Sequence, residues 1–487
     1  MSKVRTSLLL SLGQNYFSVG IQFFASVIVA RLLTPAEIGI YSVAMVLVGF
    51  AQTLRDFGVT SYIIQEKELT VEKIRSAFTL TLASAWIMAI ALGLGSAYAA
   101  AFYREPGIKS VMLVLSLNFF LIPFGSVPIA YMQRNMDFLH PSLIKILSNL
   151  AGAIATVALA FAGFSYHSMA WGSVAGIVVT VLLVQVWRPK DLPVLPGFNE
   201  LRSVISFGLL SNAAMLLIDA MRGAPDMIIG RLSGMAMVGF FGRAMGLIMI
   251  FERLVMSSLW NVSLPHFAQQ LRSGVSLKEQ FLHSTSYVTG IAWPFFVVLG
   301  FLANPAIVVI YGEKWVSSVS LLQLLCISSL ITAPFLLWGS MLTAIGQMRQ
   351  NVLLLAIHTP MIIALIYMAS PYGLKAIGIA FIIISIVDNA ISILQCRFTV
   401  NVSFTDIIGA LPKSAGVALA SGTFPALLYA THGVLYESLW LQLLLGITGS
   451  LVGWIAGIYI FRHPLKKEIW HLLESVKKFL SMESHGI

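Results

Sequence analysis

Long uncharged runs recur through most of the chain, and they constrain the possible fold more than any other feature of the sequence. A helix needs about 20 predominantly apolar residues to cross a bilayer. Of the 487 residues, 58% are apolar and only 10% are charged, against about 25% charged in an ordinary soluble domain. The sequence therefore predicts an all-α polytopic membrane protein.

Fourteen predominantly apolar runs are long enough to cross. The first follows a basic N-terminus but continues without a small-residue cleavage pattern, so it predicts a transmembrane helix and not a cleaved signal peptide. The fourteen predicted crossings lie near residues 8–30, 38–60, 77–101, 110–131, 143–163, 168–187, 203–230, 238–261, 283–303, 317–343, 351–369, 376–396, 407–430 and 438–461.

Basic residues are divided unequally between the two sides of these crossings. If both termini lie inside, twenty Lys and Arg residues fall in inside segments and six in outside segments. Because Lys and Arg favour cytoplasmic loops, this bias predicts that both termini are cytoplasmic. It also accounts for the net charge of +10, which would otherwise suggest binding to nucleic acid. No nucleic-acid partner is therefore expected.

A short internal repeat indicates how the crossings are organised. Residues 30–45, ARLLTPAEIGIYSVAM, align without a gap on residues 230–245, GRLSGMAMVGFFGRAM, with six identities in sixteen positions. The offset of two hundred residues contains six crossings, an even number, so both copies enter the membrane from the same side. We expect two pseudo-symmetric six-helix bundles around a central cleft, with two C-terminal helices appended.

The repeat divides the chain into four predicted regions. Residues 1–190 form an N-terminal six-helix lobe, and residues 191–400 form a C-terminal six-helix lobe. Residues 401–462 supply two additional transmembrane helices, and residues 463–487 form a cytoplasmic tail. The apolar residues of the tail share one helical face and its lysines lie off that face, which is typical of an amphipathic helix on the membrane surface. A helix that docks a partner protein is the alternative.

Three ionisable residues lie at membrane depth in the seventh predicted crossing. Asp219, Arg222 and Asp226 are spaced by three and four residues, so they line one face of a helix. Ionisable groups in the membrane are costly and are functional-site candidates. One interpretation is a cavity wall that meets a charged substrate. The alternative is a self-neutralising ion cluster that only fixes the packing between helices.

Two more arginines and a glutamine complete the candidate substrate-binding residues. Arg243 in the next crossing adds a second cation, and Arg55 stands at the inner end of the second crossing. Arginine suits a diphosphate, because its planar guanidinium binds phosphate oxygens in pairs and resists deprotonation. For Arg55 the alternative is a side chain that extends to the inner interface. The repeat offset places Gln22 opposite Arg222, so the first lobe offers a polar, uncharged group there.

Asp388, near the middle of the twelfth crossing, is a candidate for ion coupling. It would carry a proton or a sodium ion, or else pair with an arginine across the cleft. His358, beside Pro360, is interpreted as a hydrogen-bonded histidine at a kink. Cys326 and Cys396 form no metal-binding pattern and are interpreted as small core residues. No metal site, cofactor or catalytic motif is predicted, so the chain is not expected to be an enzyme.

Several motifs together resemble a known family. They are ARLLTPAEIGIYSVA after the first crossing, RDFGVTSYIIQ after the second, QRNMDF after the fourth, DMIIGRLSGMAMVGFFGRAM in the second half and YGEKWVSSVSLLQLLC between the ninth and tenth. In this order they resemble the polysaccharide transporter family of Wzx-type oligosaccharide flippases. That family belongs to the multidrug/oligosaccharidyl-lipid/polysaccharide exporter superfamily.

The resemblance implies a flippase for undecaprenyl-diphosphate-linked oligosaccharide in the bacterial inner membrane, serving exopolysaccharide or lipopolysaccharide export. It implies alternating access around a hydrated, often cationic cavity. The implied partners are the lipid-linked oligosaccharide, membrane lipids, a polysaccharide polymerase and a chain-length regulator. The acids beside the arginines in the second half depart from a purely cationic cavity.

Two other functions stay open at this point. A cation-coupled exporter of small amphipathic molecules, of the multidrug type, shares this architecture and would use Asp219 or Asp388 as its coupling carboxylate. A non-transporting scaffold for a glycan-assembly complex would instead use the basic tail helix.

Overall fold

The computed structural model of the protein describes residues 2–56, 58–189, 192, 195–430, 438–468, 470 and 474. Side chains are described for these residues except at 2–12, 202, 203, 205–214, 261 and 351. The regular elements in this part of the chain are all helices. Most of the predicted tail helix falls at positions 469, 471–473 and 475–487, outside the described residues.

The helices are numbered in chain order. In the first half they are α1 Ser2–Leu32, α2 Pro35–Asp56, α3 Val59–Gln65, α4 Val71–Tyr103, α5 Pro106–Leu121, α6 Pro123–Arg134, α7 Leu139–Phe161, α8 His167–Trp187, α9 Leu201–Leu232 and α10 Met235–Phe251. In the second half they are α11 Ser257–Arg272, α12 Leu277–Phe301, α13 Ala303–Tyr311, α14 Ser318–Thr332, α15 Trp338–Ala344, α16 Met348–Ala369, α17 Leu374–Val400, α18 Phe404–Ala410, α19 Pro412–Ala430 and α20 Leu439–Ile460.

The fold class predicted from the sequence is confirmed. Among the described residues, eleven segments are long and apolar enough to cross a membrane, and two bent helix pairs bring the number to thirteen. The remaining predicted crossing corresponds to α9, a helix of 32 residues. Each of the fourteen predicted crossings therefore overlaps one helix or a run of consecutive helices, and the chain is a multi-pass membrane protein.

Proline marks the two bends. The pair α5 and α6 is bent by 49° where Pro123 begins α6, and the pair α18 and α19 is bent by 43° where Pro412 begins α19. Proline has no N–H to donate and its ring clashes with the preceding turn, so a helix cannot run through it undisturbed. The bends thus follow directly from the sequence.

Contacts between residues divide the chain into two compact units. The first comprises Met1–Gly242 with Ile366–Pro371, and the second comprises Arg243–Leu365 with Tyr372–Ile487. The first unit extends past the predicted lobe boundary at residue 190, because α9 packs against α2 and α4. The predicted lobes rest on the repeat and not on contacts, so their boundaries stay predictions.

A reciprocal contact within the first unit relates the two copies of the internal repeat. A Cβ atom added at Gly39 would lie 1.8 Å from the carbonyl oxygen of Met235. A Cβ added at Gly239 would lie 2.1 Å from the carbonyl oxygen of Pro35. The two-hundred-residue offset exchanges these two contacts, as a pseudo-two-fold axis between the copies requires. This contact supports the predicted repeat.

The motif ARLLTPAEIG also explains how α2 begins. The Thr34 backbone N–H and hydroxyl both donate to Glu37 Oε2, at 2.6 and 2.7 Å, and the Glu37 N–H donates to Thr34 Oγ1 at 3.3 Å. This capping box satisfies the first N–H groups of the helix, and Pro35 is well suited to the first helical position. The hydroxyl of Ser165 donates to the other carboxylate oxygen of Glu37.

The segment after α20 docks on the second unit through one histidine. His463 is only 1% exposed, and its Nδ1 accepts a hydrogen bond from the Leu465 N–H at 3.2 Å. Its Nε2 therefore carries the proton in the neutral ring and lies 3.1 Å from Ser414 Oγ. Burial, together with the smaller effect of the nearby Lys413 charge, lowers the pKa of His463 to about 4.

We predict that Gly39→Ala destabilises the protein, because the new methyl group would push two backbones apart at the repeat contact. The expected loss of stability is about 1–3 kcal/mol, the usual range for overpacking. Thermal unfolding of the purified protein in detergent measures it. The matched control is Gly49→Ala in the same helix, where an added Cβ meets nothing within 4 Å. Equal unfolding temperatures for the two variants would contradict the prediction.

We also predict that His463 makes the folded state sensitive to acid. Since folding lowers its pKa from an ordinary 6.5 to about 4, its neutral form stabilises the fold fully above about pH 6.5. That contribution is lost progressively as the pH falls towards 4, because the unfolded chain binds the proton more readily. Thermal unfolding across this range should show a weaker pH dependence for His463→Gln than for wild type. The exposed His283, changed to Gln, is the control.

Candidate functional site

The charged face predicted on α9 lies partly against α2 within the first unit. The hydroxyl of Thr53 donates a hydrogen bond to the carboxylate of Asp219. One turn further on, a Cβ added at Gly223 would lie 2.4 Å from a methyl group of Val46. Asp219 therefore takes part in the packing between two helices. One interpretation of the sequence expected this packing role for all three charged residues of the face.

Asp226 lies on the same side of α9, seven residues after Asp219. Its Oδ1 atom is buried and has no hydrogen-bond partner among the described residues. Leaving a buried carboxylate oxygen without a partner costs free energy, so packing alone does not account for this residue. Asp226 Oδ1 is therefore an acceptor atom without a partner in the described structure.

Arg222 flanks this face, and its side chain is exposed. It lies ten residues before the end of α9, which corresponds to about 15 Å along the helix and places it at membrane depth. A guanidinium group is strongly disfavoured against lipid tails, so its exposed surface must adjoin water, a headgroup or an anionic ligand. This is the behaviour expected of a residue on a hydrated surface.

Gln22 and Arg55 differ in their exposure. Gln22 is exposed on α1, a helix that packs against α7. Arg55 is only 7% exposed and its Nη2 lies 2.9 Å from Asp56 Oδ1. A side chain that extended to the interface would expose its guanidinium, so the burial of Arg55 argues against that alternative. Arg55 lines a small polar cavity with Thr60, Thr81 and Ser126.

Arg243 belongs to the second unit, where two aromatic rings hold it. Its guanidinium carbon lies 5.3 Å from the ring centroid of Tyr311 and 5.4 Å from that of Trp315. Both rings are buried, and Trp315 is fully enclosed. These distances are typical of cation–π contacts, which favour the planar guanidinium. The two aromatics are the first and last residues of the YGEKW motif, a partnership that the sequence did not predict.

Asp388 also belongs to the second unit, and its partner there is a histidine. His358 Nδ1 on α16 lies 2.5 Å from Asp388 Oδ2 on α17. The side chains are 19% and 14% exposed, and Asp388 Oδ1 is buried without a hydrogen-bond partner in the described structure. The sequence placed both residues in neighbouring crossings but considered only an arginine as the partner of Asp388.

The described residues contain no group of three or more His, Cys, Asp or Glu side chains arranged to hold a metal ion. Cys326 and Cys396 are both buried free thiols. Their burial fits the interpretation of small core residues.

Sequence comparison identifies the family. Residues 28–320, more than half of the chain, match the family described as "Polysaccharide biosynthesis protein". The chain belongs to this family. It is 27% identical over 338 residues to "Succinoglycan biosynthesis transport protein ExoT" of Rhizobium meliloti strain 1021. It is 25% identical over 382 residues to "Lipopolysaccharide biosynthesis protein WzxC" of Escherichia coli strain K12.

These family relatives are matched over most, but not all, of their length. The match to ExoT covers 67% of this chain and 66% of the relative, and the match to WzxC covers 77% of each. A third relative, "Teichuronic acid biosynthesis protein TuaB" of Bacillus subtilis strain 168, is 25% identical over 61% of this chain and 62% of its own length. The chain thus spans about two thirds of the length of ExoT and TuaB.

Two solved structures share the fold of this family member. "Lipid II flippase MurJ, inward closed conformation" matches with a TM-score of 0.74 and 13% identity, over 93% of this chain and 99% of that one. An inward-facing multidrug resistance MATE family transporter of the MOP superfamily matches with a TM-score of 0.60 and 17% identity, over 79% and 98%. At such low identity the likeness shows a common transporter fold.

We predict that Thr53→Val destabilises the protein by about 1–3 kcal/mol, because it leaves the Asp219 carboxylate without its donor. Thr53→Ser keeps a hydroxyl at that position and should cost much less. Chemical or thermal unfolding in detergent compares the two variants. If valine and serine behave alike, the hydrogen bond to Asp219 contributes nothing to the packing of α2 on α9.

Proposed function

We propose that this protein flips undecaprenyl-diphosphate-linked oligosaccharide units across the bacterial inner membrane, for exopolysaccharide or lipopolysaccharide export. Membership of the polysaccharide biosynthesis family supports the proposal, as do relatives named for succinoglycan transport and lipopolysaccharide biosynthesis. The fold shared with a lipid II flippase is consistent with it. In this proposal both termini are cytoplasmic, and a polysaccharide polymerase and a chain-length regulator are candidate partners.

The exposed Arg222 is the observation that carries the proposal for the site. A lipid-linked diphosphate can leave its polyprenyl chain in lipid and its sugars in water, but its phosphates must pass the hydrocarbon layer. Desolvating such an anion without a counter-charge is prohibitively costly. A guanidinium that is exposed at membrane depth supplies the counter-charge and up to two parallel hydrogen bonds.

The other candidate residues are proposed to have different roles, according to the chemistry of their side chains. Arg243, held over its two aromatic rings, is proposed as a second phosphate ligand in the second unit. The Asp226 carboxylate oxygen and the exposed Gln22 amide suit sugar hydroxyls. Asp219 already accepts a hydrogen bond from Thr53 and is proposed to orient the α9 face. Arg55 is proposed to meet the diphosphate at the inner end of α2.

The test is a flipping assay on purified protein in vesicles that contain a fluorescent lipid-linked oligosaccharide. Quenching by an impermeant reductant reports which leaflet holds the substrate. Arg222→Ala and Arg243→Ala should each slow flipping by about tenfold or more, since a charge-assisted hydrogen bond contributes about 1.5–3 kcal/mol. Arg222→Lys should retain part of the rate because it keeps the charge but loses the planar fork.

The control is Arg272→Ala, which removes an exposed arginine at the end of α11. It should leave the flipping rate unchanged. Normal flipping by the Arg222→Ala and Arg243→Ala variants would refute the assigned roles. A wild-type protein that moves small amphipathic cations but no lipid-linked oligosaccharide would replace the proposed function with the multidrug alternative.

A further inference from the structure

A single ion pair joins two helices of the second unit near their midpoints. His358 is the eleventh of the 22 residues of α16, and Asp388 is the fifteenth of the 27 residues of α17. Their side chains are 2.5 Å apart and less than one fifth exposed. Both positions are near the centre of predicted crossings, where an ionisable pair is costly and points to a function.

In the described structure, no other charged side chain comes from α14, which packs against α17, or from the middle of α16 or α17. The helix packed against α17 is α14, and neither it nor α15 carries any Asp, Glu, Lys, Arg or His, Cys326 being the one thiol. The other charges on α16 and α17 are Arg349, Lys375 and Arg397, which lie near helix ends. The nearest along the chain to either partner is nine residues away, about 14 Å along a helix.

The pair is also one of few polar links between α16 and α17. At the start of α16, Gln350 accepts hydrogen bonds from Gln395 at 3.2 Å and from Thr399 at 3.1 Å. The neighbouring residue Asn389 turns to α14, where it donates to the Ile331 carbonyl at 2.5 Å. Asp388 thus faces α16 while the residue after it is tied to another helix. The contact with His358 is specific to these two helices.

The carboxylate and imidazole of this pair indicate which ion it binds. Sodium, like other hard cations, is held by several oxygen ligands, whereas an imidazole nitrogen takes a proton or a transition metal. No third metal-ligating side chain joins this pair among the described residues. A carboxylate bonded to an imidazole therefore fits a proton and not sodium.

We propose that His358 and Asp388 form the proton-binding site that couples the protein to a proton gradient, a step that rests on the proposed flipping function. Nδ1–H of His358 donates to the Asp388 carboxylate. A proton from water adds to the lone pair of His358 Nε2, and the same N–H bond breaks when the proton is released to water on the other side. Uptake changes the net charge of the pair from −1 to 0.

This change of charge supplies the coupling. A net negative charge at membrane depth needs water beside it, whereas a neutral ion pair tolerates a closed, drier surrounding. The unloaded pair therefore stabilises conformations in which water reaches it. The loaded pair permits the conformations in which water is excluded. Proton binding on one side and release on the other gives the conformational cycle a direction.

The test uses the flipping assay with and without a pH gradient across the vesicle membrane. A gradient should accelerate wild-type flipping several-fold. Asp388→Asn removes the negative charge, so proton uptake by His358 no longer takes the pair from −1 to 0. This variant should flip at a similar rate with and without the gradient. His358→Gln leaves an isolated carboxyl, which ordinarily titrates at lower pH than imidazole, and should move the response to more acidic pH.

The chain offers a matched control in a second Asp–His pair. His140 Nδ1 lies 2.7 Å from Asp137 Oδ2 between α6 and α7, and its side chains are 39% and 33% exposed. Asp137→Asn and His140→Gln make the same chemical changes outside the crossings and should keep the wild-type response. A gradient response that survives in Asp388→Asn would overturn the proposal. The proposal would also be overturned if a sodium gradient, and not a proton gradient, accelerated flipping.

A substrate-independent measurement separates this proposal from the proposed function. Nitrogen NMR of ¹⁵N-histidine-labelled protein identifies the His358 signal by its absence from His358→Gln. That signal should change as the ring takes up a proton, and it should respond to Asp388→Asn. If wild type fails to flip the oligosaccharide while His358 titrates as described, the flipping function is wrong and the proton site stands. A His358 signal that does not titrate removes the proton site.

Discussion

The hydrocarbon layer offers no hydrogen-bond partner to the chain, and the whole structure follows from that constraint. Peptide groups must bond within their own segment, so the crossings are helices. Small hydroxyl side chains obey the same rule by donating to the preceding turn, as Thr81 does to Ala77, Ser385 to Phe381 and Ser421 to Val417. The two bent helix pairs break at Pro123 and Pro412, where one backbone hydrogen bond is lost in any case.

This constraint explains why much of the fold could be predicted from the sequence. Run length alone marks a crossing, and each of the fourteen predicted runs overlaps one helix or a run of consecutive helices. The repeat was also visible, because its glycines have to stay small where two backbones meet at Gly39 and Gly239. The extent of the compact units could not be predicted from the sequence, because the contacts of α9 with α2 and α4 depend on tertiary packing.

The candidate site was less predictable, since the partner of a charged side chain depends on the register between helices. Spacing along α9 identified Asp219 and Arg222 but could not show that Thr53 bonds to one of them. Similarly, Asp388 and His358 are thirty residues apart in sequence, and only the pairing of α16 with α17 brings them within 2.5 Å. The YGEKW motif was recognised as a string of letters, and its place around Arg243 became visible in three dimensions.

The family motifs therefore describe how the molecule is built more than what it carries. The ARLLTPAEIG motif caps the start of α2, and the aromatic residues of YGEKW pack against Arg243. The glycines of the repeat lie against backbone carbonyl groups. The contact at Gly39 and Gly239 has a consequence for how such proteins diversify. The two repeats meet here through glycines and backbone carbonyl groups, so any side chain added at either glycine would break the contact. Residues on the surrounding helix faces can then change in charge and size without disturbing the contact between the repeats.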